Sequence, residues 1–173
     1  MCQLAYSFDG DGQLDAAEET ALQMIDCFLG KGEQFEICQC YRLLGKIWCS
    51  KGKTEKAIDH LELALEIASS LNWHLQLLWI YYDLAELSFD EGRFDDAHIH
   101  IELAKSHAVH DPYRLGRVVE QQAWFWYRQG KFEEAKSTAS HAADVYGRFG
   151  ATKDVEDCRD LLQMIEEATK KEV

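Results

Sequence analysis

Three stretches of the 173-residue sequence hold residue types at spacings that could do chemistry. Ser7-Phe8-Asp9-Gly10-Asp11-Gly12-Gln13-Leu14-Asp15-Ala16-Ala17-Glu18 follows the order of an EF-hand loop. Asp9, Asp11, Gly12, Leu14, Asp15 and Glu18 fall at its third, fifth, sixth, eighth, ninth and twelfth places, where oxygens converge on calcium around a sharp glycine turn. The first place, normally Asp, is Ser7, and only six residues precede the loop, too few for a full entering helix. The stretch is therefore read as a solvated acidic turn. Gly52-Lys53-Thr54 matches the end of a P-loop, but the glycine required five residues earlier is Ile47, inside a helical pattern. His98, His100, His107 and His110 are dense enough for zinc or nickel, yet on one helix His98 and His100 point about 200° apart, which spoils them as a chelating pair. Ser, His and Asp are otherwise scattered, with no nucleophile, base and acid in one constellation. The expectation is a protein with no catalytic residues, no cofactor and no metal.

The elements that would position these groups declare themselves by repetition. Tyr41-Arg42-Leu43-Leu44-Gly45-Lys46-Ile47-Trp48 is followed by Gly52 and then by Ala57, Leu61 and Ala64. This is an aromatic, Leu-Gly and an aromatic on one helix, a glycine turn, and Ala-x3-apolar on a second. Small residues at Gly45 and Ala57 allow close approach, while Tyr41, Leu44, Trp48, Leu61 and Ala64 fill the seam. The pattern recurs as Leu4-Ala5…Gly12…Ala17, Leu84-Ala85…Gly92…Ala97 and Gln122-Ala123…Gly130…Ala135, with the glycines 40, 40 and 38 residues apart. Each hairpin alone leaves apolar faces uncovered, so neighbours must stack on it.

On these residues the chain resembles the tetratricopeptide repeat (TPR) family, in a long-period variety of about 40 residues against the usual 34. It is similar to the arrays of kinesin light chains and of fungal and bacterial signalling NTPase tails. The resemblance implies an all-α, right-handed α-solenoid of antiparallel helix hairpins with a C-terminal capping helix. Its expected parts are a truncated first repeat at 1–28, repeats at 33–71, 73–109 and 111–149, and the cap at 151–170. Within these, helices are predicted over 14–28, 33–50, 53–70, 73–90, 93–109, 113–129, 131–148 and 153–169. Asp111-Pro112 reads as an N-cap followed by proline at the first helical position.

Composition agrees with a helical protein. The sequence has one proline, 47% apolar residues and no long apolar run, so no membrane span is expected. No basic-then-apolar leader is visible. The six cysteines make no C-x2-C pair and read as reduced residues of a cytoplasmic protein. The net charge of −13 is uneven: residues 1–37 hold 8 acids and 1 base, residues 38–77 hold 4 and 5, residues 78–115 hold 8 and 3, and residues 116–173 hold 11 and 9. No basic stripe exists to neutralise phosphates, which argues against nucleic acid.

In this family the first helix of each hairpin lines a concave groove. By that resemblance the groove residues are Arg42 and Lys46 with Gln39 and Cys49; Trp79, Tyr82, Glu86 and Phe89; and Arg117, Glu120, Trp124 and Tyr127. Aromatic and arginine side chains are what binding hot spots are made of. The resemblance also implies a two-carboxylate clamp for chaperone tails. Arg42 and Arg117 fit two of its basic places, but Lys46 and Asp83 stand where it has Asn and Gln121 where it has Arg, so no chaperone-tail receptor is expected. Asp83, Glu86 and Asp90 are expected to make a negative midsection, selecting a protein or peptide partner with a basic centre and apolar anchors. The function expected is a protein-interaction scaffold, a module of a larger protein; the alternative is a regulatory or self-association segment of a signalling NTPase or transcription regulator. A truncated first repeat would expose an apolar face and favour self-association through it.

Overall fold

The computed structural model describes residues 11–172. Eight helices follow one another: α1 (Asp11–Leu29), α2 (Gln34–Ser50), α3 (Thr54–Ser70), α4 (His74–Asp90), α5 (Phe94–His107), α6 (Pro112–Arg128), α7 (Phe132–Arg148) and α8 (Thr152–Glu172). The chain divides into two compact units, residues 1–104 and 105–173.

In the first unit, α2 packs on α1, α3 and α4. The apolar stripe of α3 (Ala57, Leu61, Ala64 and Ala68) is at most 1% exposed, sealed against Leu44 and Trp48 of α2. Gly45 is obligatory there: a Cβ at that position would stand 2.6 Å from Leu61 Cγ and 3.2 Å from the Ala57 carbonyl oxygen. The helix ends are closed by one device. Gly52 takes a left-handed φ of 68°, its N–H bonds to Cys49 O at 2.9 Å and the Lys53 N–H to Trp48 O at 2.9 Å, which is a Schellman cap. The same pairs of bonds close α4 at Gly92 and α6 at Gly130. Trp48 is further covered by the ammonium groups of Lys51, Lys53 and Lys56, 5.0, 5.2 and 4.2 Å from its ring.

In the second unit α7 packs between α6 and α8 through Ala135, Ala139, Ala142 and Tyr146, all wholly buried. Asp111 caps α6 as the sequence predicts, its Oδ1 accepting from the Arg114 N–H at 3.0 Å ahead of Pro112. Helix α8 carries one buried stripe, Cys158, Leu161 and Ile165. Counted from its first residue, it places Gln163 where α2 has Gly45 and Glu166 where α2 has Trp48. A following helix would meet a long polar side chain at the position reserved for a small one, so α8 is suited to end the stack.

One expectation fails. Helix α1 starts at Asp11 and runs through Gly12, whereas α3 starts two residues after its glycine. The remainder of the proposed first repeat, including Leu4, Ala5 and Phe8, lies outside the described residues, as do Ser7 and Asp9 of the EF-hand-like stretch.

Candidate functional site

The expected groove residues of the first unit lie on α2 and α4. Their centre is an ion pair that sequence spacing did not predict. Arg42 Nε donates to Asp83 Oδ2 at 2.5 Å and Nη2 to Oδ1 at 3.3 Å, a bidentate fork across two helices one repeat apart. The Asp83 side chain is 6% exposed and that of Arg42 23%. The guanidinium also lies 5.8 Å from the centre of the Trp79 ring, which meets Tyr82 edge to face at 5.7 Å. Arg42, Trp79 and Tyr82 thus form one half-buried surface. Lys46 and Glu86 border the crevice beside it, together with Gly45 and Asp83.

Two expectations need correction here. Asp83 does not belong to a negative midsection, because its carboxylate is buried and its charge is met by Arg42. The same pair removes Arg42 from a carboxylate clamp, since its fork already holds an internal carboxylate. Phe89 is 4% exposed and packs on Phe94 with ring centres 5.0 Å apart, so it closes the α4–α5 turn rather than lining a groove.

In the second unit the four expected residues lie on α6. Trp124 and Tyr127 are half-buried and meet edge to face at 5.8 Å, above the cluster that includes Leu161 and Ile165. Arg117 is exposed. Glu120 is not a groove group: it accepts a 2.7 Å hydrogen bond from the Tyr146 hydroxyl on α7. Burial pushes the Glu120 carboxyl up from its ordinary value, with the Tyr146 hydrogen bond opposing. Tyr146 enters because Gly116 leaves room; a Cβ there would stand 2.9 Å from its Cε1.

The remaining candidate groups are occupied in structural ways. Lys51 Nζ bridges Asp15 Oδ1 and Glu18 Oε2, each at 2.5 Å, and Asp11 to Glu18 are helical, so this half of the EF-hand-like stretch does not fold as a loop. His100 is half-buried, stacked on Tyr81 and in contact with Ser88 Oγ at 3.3 Å; burial pulls its pKa down. Cys38 and Cys158 are buried thiols whose pKa values burial pushes up to about 11 and about 12, far from thiolate chemistry at neutral pH. Cys27 is exposed. Among the described residues no group of three or more His, Cys, Asp or Glu converges to hold a metal, and no helix is long and apolar enough to cross a membrane.

A second feature lies between α1 and α2. Met24 and Phe28 of α1 and Phe35, Glu36, Gln39, Cys40, Arg42, Leu43 and Lys46 of α2 line an open cleft of about 430 Å³. Its signal was in the alignment: Met24 and Phe28 stand where α3 has Ala64 and Ala68.

No protein-family model matches the sequence, and no curated protein matches it. Solved structures do match the fold. The crystal structure of BtubC (BKLC) from P. vanneervenii is 17% identical, covers 97% of this chain and 86% of its own, and superposes with a TM-score of 0.59. Two crystal structures of a Podosopora anserina putative kinesin light chain with nearly identical TPR-like repeats are 16% identical, cover 98% of this chain and 92% and 93% of their own, each with a TM-score of 0.64. With its glycine-capped hairpins, small-residue seams and these neighbours, the chain has the all-α fold of a TPR-like helical repeat array.

Proposed function

We propose that this protein is an interaction scaffold that holds a peptide or helix of another protein against the first helices of its hairpins. The observation that carries this reading is a pair of half-buried aromatic couples at i, i+3 spacing, Trp79 with Tyr82 and Trp124 with Tyr127, one in each unit. Such rings keep an apolar face and a polar edge, are already held by neighbours, and lose little freedom on binding. Among the described residues these couples present large apolar faces beside charged side chains, which suits recognition. Asp83 is neutralised by Arg42, so the favoured ligand carries apolar anchors and at most a modest basic centre. The protein is expected to work in the cytoplasm.

The test is selection of helical peptides from a display library against the chain, followed by Tyr82→Ala and Trp124→Ala. Removing an anchor costs at least about 2 kcal/mol, or about 30-fold in affinity. Each variant should lose that much while keeping its helical signal. Peptides that bind both variants as tightly as the parent, or that footprint on α5, refute the reading.

A further inference from the structure

The cleft between α1 and α2 is unlike any other seam in the first unit. Helix α1 occupies the register of α3 and α5: Ala17, Ala21, Met24 and Phe28 stand where α3 has Ala57, Leu61, Ala64 and Ala68. The α3 residues, and Ala97, Ile101 and Ala104 of α5, are 0–1% exposed. On α1, Ala21 is buried, Ala17 and Phe28 are half-exposed and Met24 is 42% exposed. Across the cleft Phe35 is 42% and Leu43 44% exposed. This is a helix-binding seam standing open.

Three observations select what covers it. The open face of α1 is small at one end (Ala17, Thr20) and large at the other (Met24, with Phe28 half-exposed). A covering helix must bring small side chains to Met24 and Phe28 and large ones to Ala17. Helix α1 of a second molecule, turned end for end, does both. The charges at the rim agree: Glu36 and Lys46 line the same cleft on α2, ten residues or about 15 Å apart. A two-fold axis through the cleft brings each Glu36 towards the partner's Lys46. Ala17 and Phe28 are about 16 Å apart along α1, so one axis serves both matches. Finally, α8 does not suit the seam of another copy, because Gln163 and Glu166 occupy its seam positions, which argues against head-to-tail stacking through that helix.

We propose that the α1–α2 cleft is a self-association face, closed by a second copy of this chain in an antiparallel, isologous two-fold contact. The aromatic couples that carry the peptide reading lie on α4 and α6, outside this cleft, although Lys46 borders both places. Both molecules carry a net charge of −13 and repel at a distance. Glu19 and Asp26 lie roughly half a turn from the open seam, where salt screens them. The contact therefore strengthens with salt, as an apolar seam should and a complex of opposite net charges should not.

The experiment is sedimentation velocity on the full chain at physiological salt, from about 1 μM to about 1 mM, the range of weak to moderate association. The expected result is a concentration-dependent species of twice the 19.9 kDa monomer mass. Met24→Glu, on an exposed position, should weaken it at least about 10-fold with an unchanged far-UV spectrum. Glu36→Lys and Lys46→Glu should each be monomeric alone, pair when mixed, and self-associate again when combined in one chain. A monomer at every concentration overturns the proposal; residues 1–10 folding back over the seam, or a cleft reserved for a different protein, would give that result. So does a dimer indifferent to Met24→Glu, or one that the combined charge swap fails to restore.

Discussion

Removing Arg42 should be one of the most damaging single changes to the first unit, although the side chain looks like a surface cation in the sequence. Arg42→Met keeps the packing of the stem and deletes the fork, leaving the Asp83 carboxylate 6% exposed without it. Breaking a buried ion pair from one side costs about 3–5 kcal/mol. The guanidinium is 23% exposed, so water can reach the vacated site, which favours the lower end. Loss of the contact with Trp79 adds about 0.5 kcal/mol. A total near 3 kcal/mol corresponds to a fall in Tm of roughly 6–12 °C for a chain of this size. Lys51→Met supplies the contrast. It deletes two contacts as short as those of Arg42, but Asp15 is 73% exposed, so the loss should stay below about 1 kcal/mol. Arg42→Met/Asp83→Leu removes both buried charges and should recover most of the deficit. Urea and thermal unfolding followed by circular dichroism measure all four proteins, with the transition of the first unit fitted separately if the two units melt apart. The reasoning is refuted if Arg42→Met costs no more than Lys51→Met, or if the double variant is no more stable than Arg42→Met alone.

Two further outcomes follow from packing and burial. Gly45→Ala gains about 1 kcal/mol of helix propensity, but its Cβ would overlap Leu61, with the Ala57 backbone close behind. A net loss of about 1–3 kcal/mol is expected, partly recovered by Leu61→Val; a stabilised Gly45→Ala would show that the seam yields freely. Glu120 titrates above its ordinary value in the folded chain. The native state therefore holds a proton that the unfolded state releases, and the stability of the second unit falls as pH rises from about 4.5, the ordinary value, through the raised one. Glu120→Gln keeps an acceptor for Tyr146 and removes the titration. Its Tm should equal the parent's at the acid end and exceed it at neutral pH, and a constant difference across the range would contradict the burial argument.

The fold was legible because its determinants are local and repeated. Gly52, Gly92 and Gly130 were placed in turns by their register alone, and each takes the left-handed φ of a helix cap. Gly12 shares the register but lies inside α1 rather than in a turn. Phe89 shows a different limit. On the helical net it faces away from the hairpin seam, and so it looked like a groove residue. The sequence nevertheless held the opposing signal in Phe94, two residues past the turn glycine, whose ring reaches back to Phe89. The fourth hairpin pairs Tyr127 with Phe132 at the corresponding places, ring centres 6.0 Å apart, so this column serves turn closure first and the groove second.

The electrostatic part of the site was the least legible, and the reason is geometric. A helical net says which face a charge occupies, but Arg42 and Asp83 are 41 residues apart and meet only because neighbouring first helices lie side by side. Counted along the chain, Asp83 joins Glu86 and Asp90 in an acidic run; in space it is Arg42's counter-ion and scarcely touches water. Glu120 tells the same story in the second unit, where Gly116 admits Tyr146 and turns an apparent groove acid into a seam acceptor. Once these two carboxylates are assigned inward, the expected basic ligand loses much of its warrant and the aromatic couples keep theirs. Selectivity at these faces should then follow the shape of the apolar anchors more than the ligand's charge. Affinity measured for one selected peptide should accordingly change less with salt than with Trp124→Ala, and a salt effect larger than the loss of that ring would restore the charge-led reading.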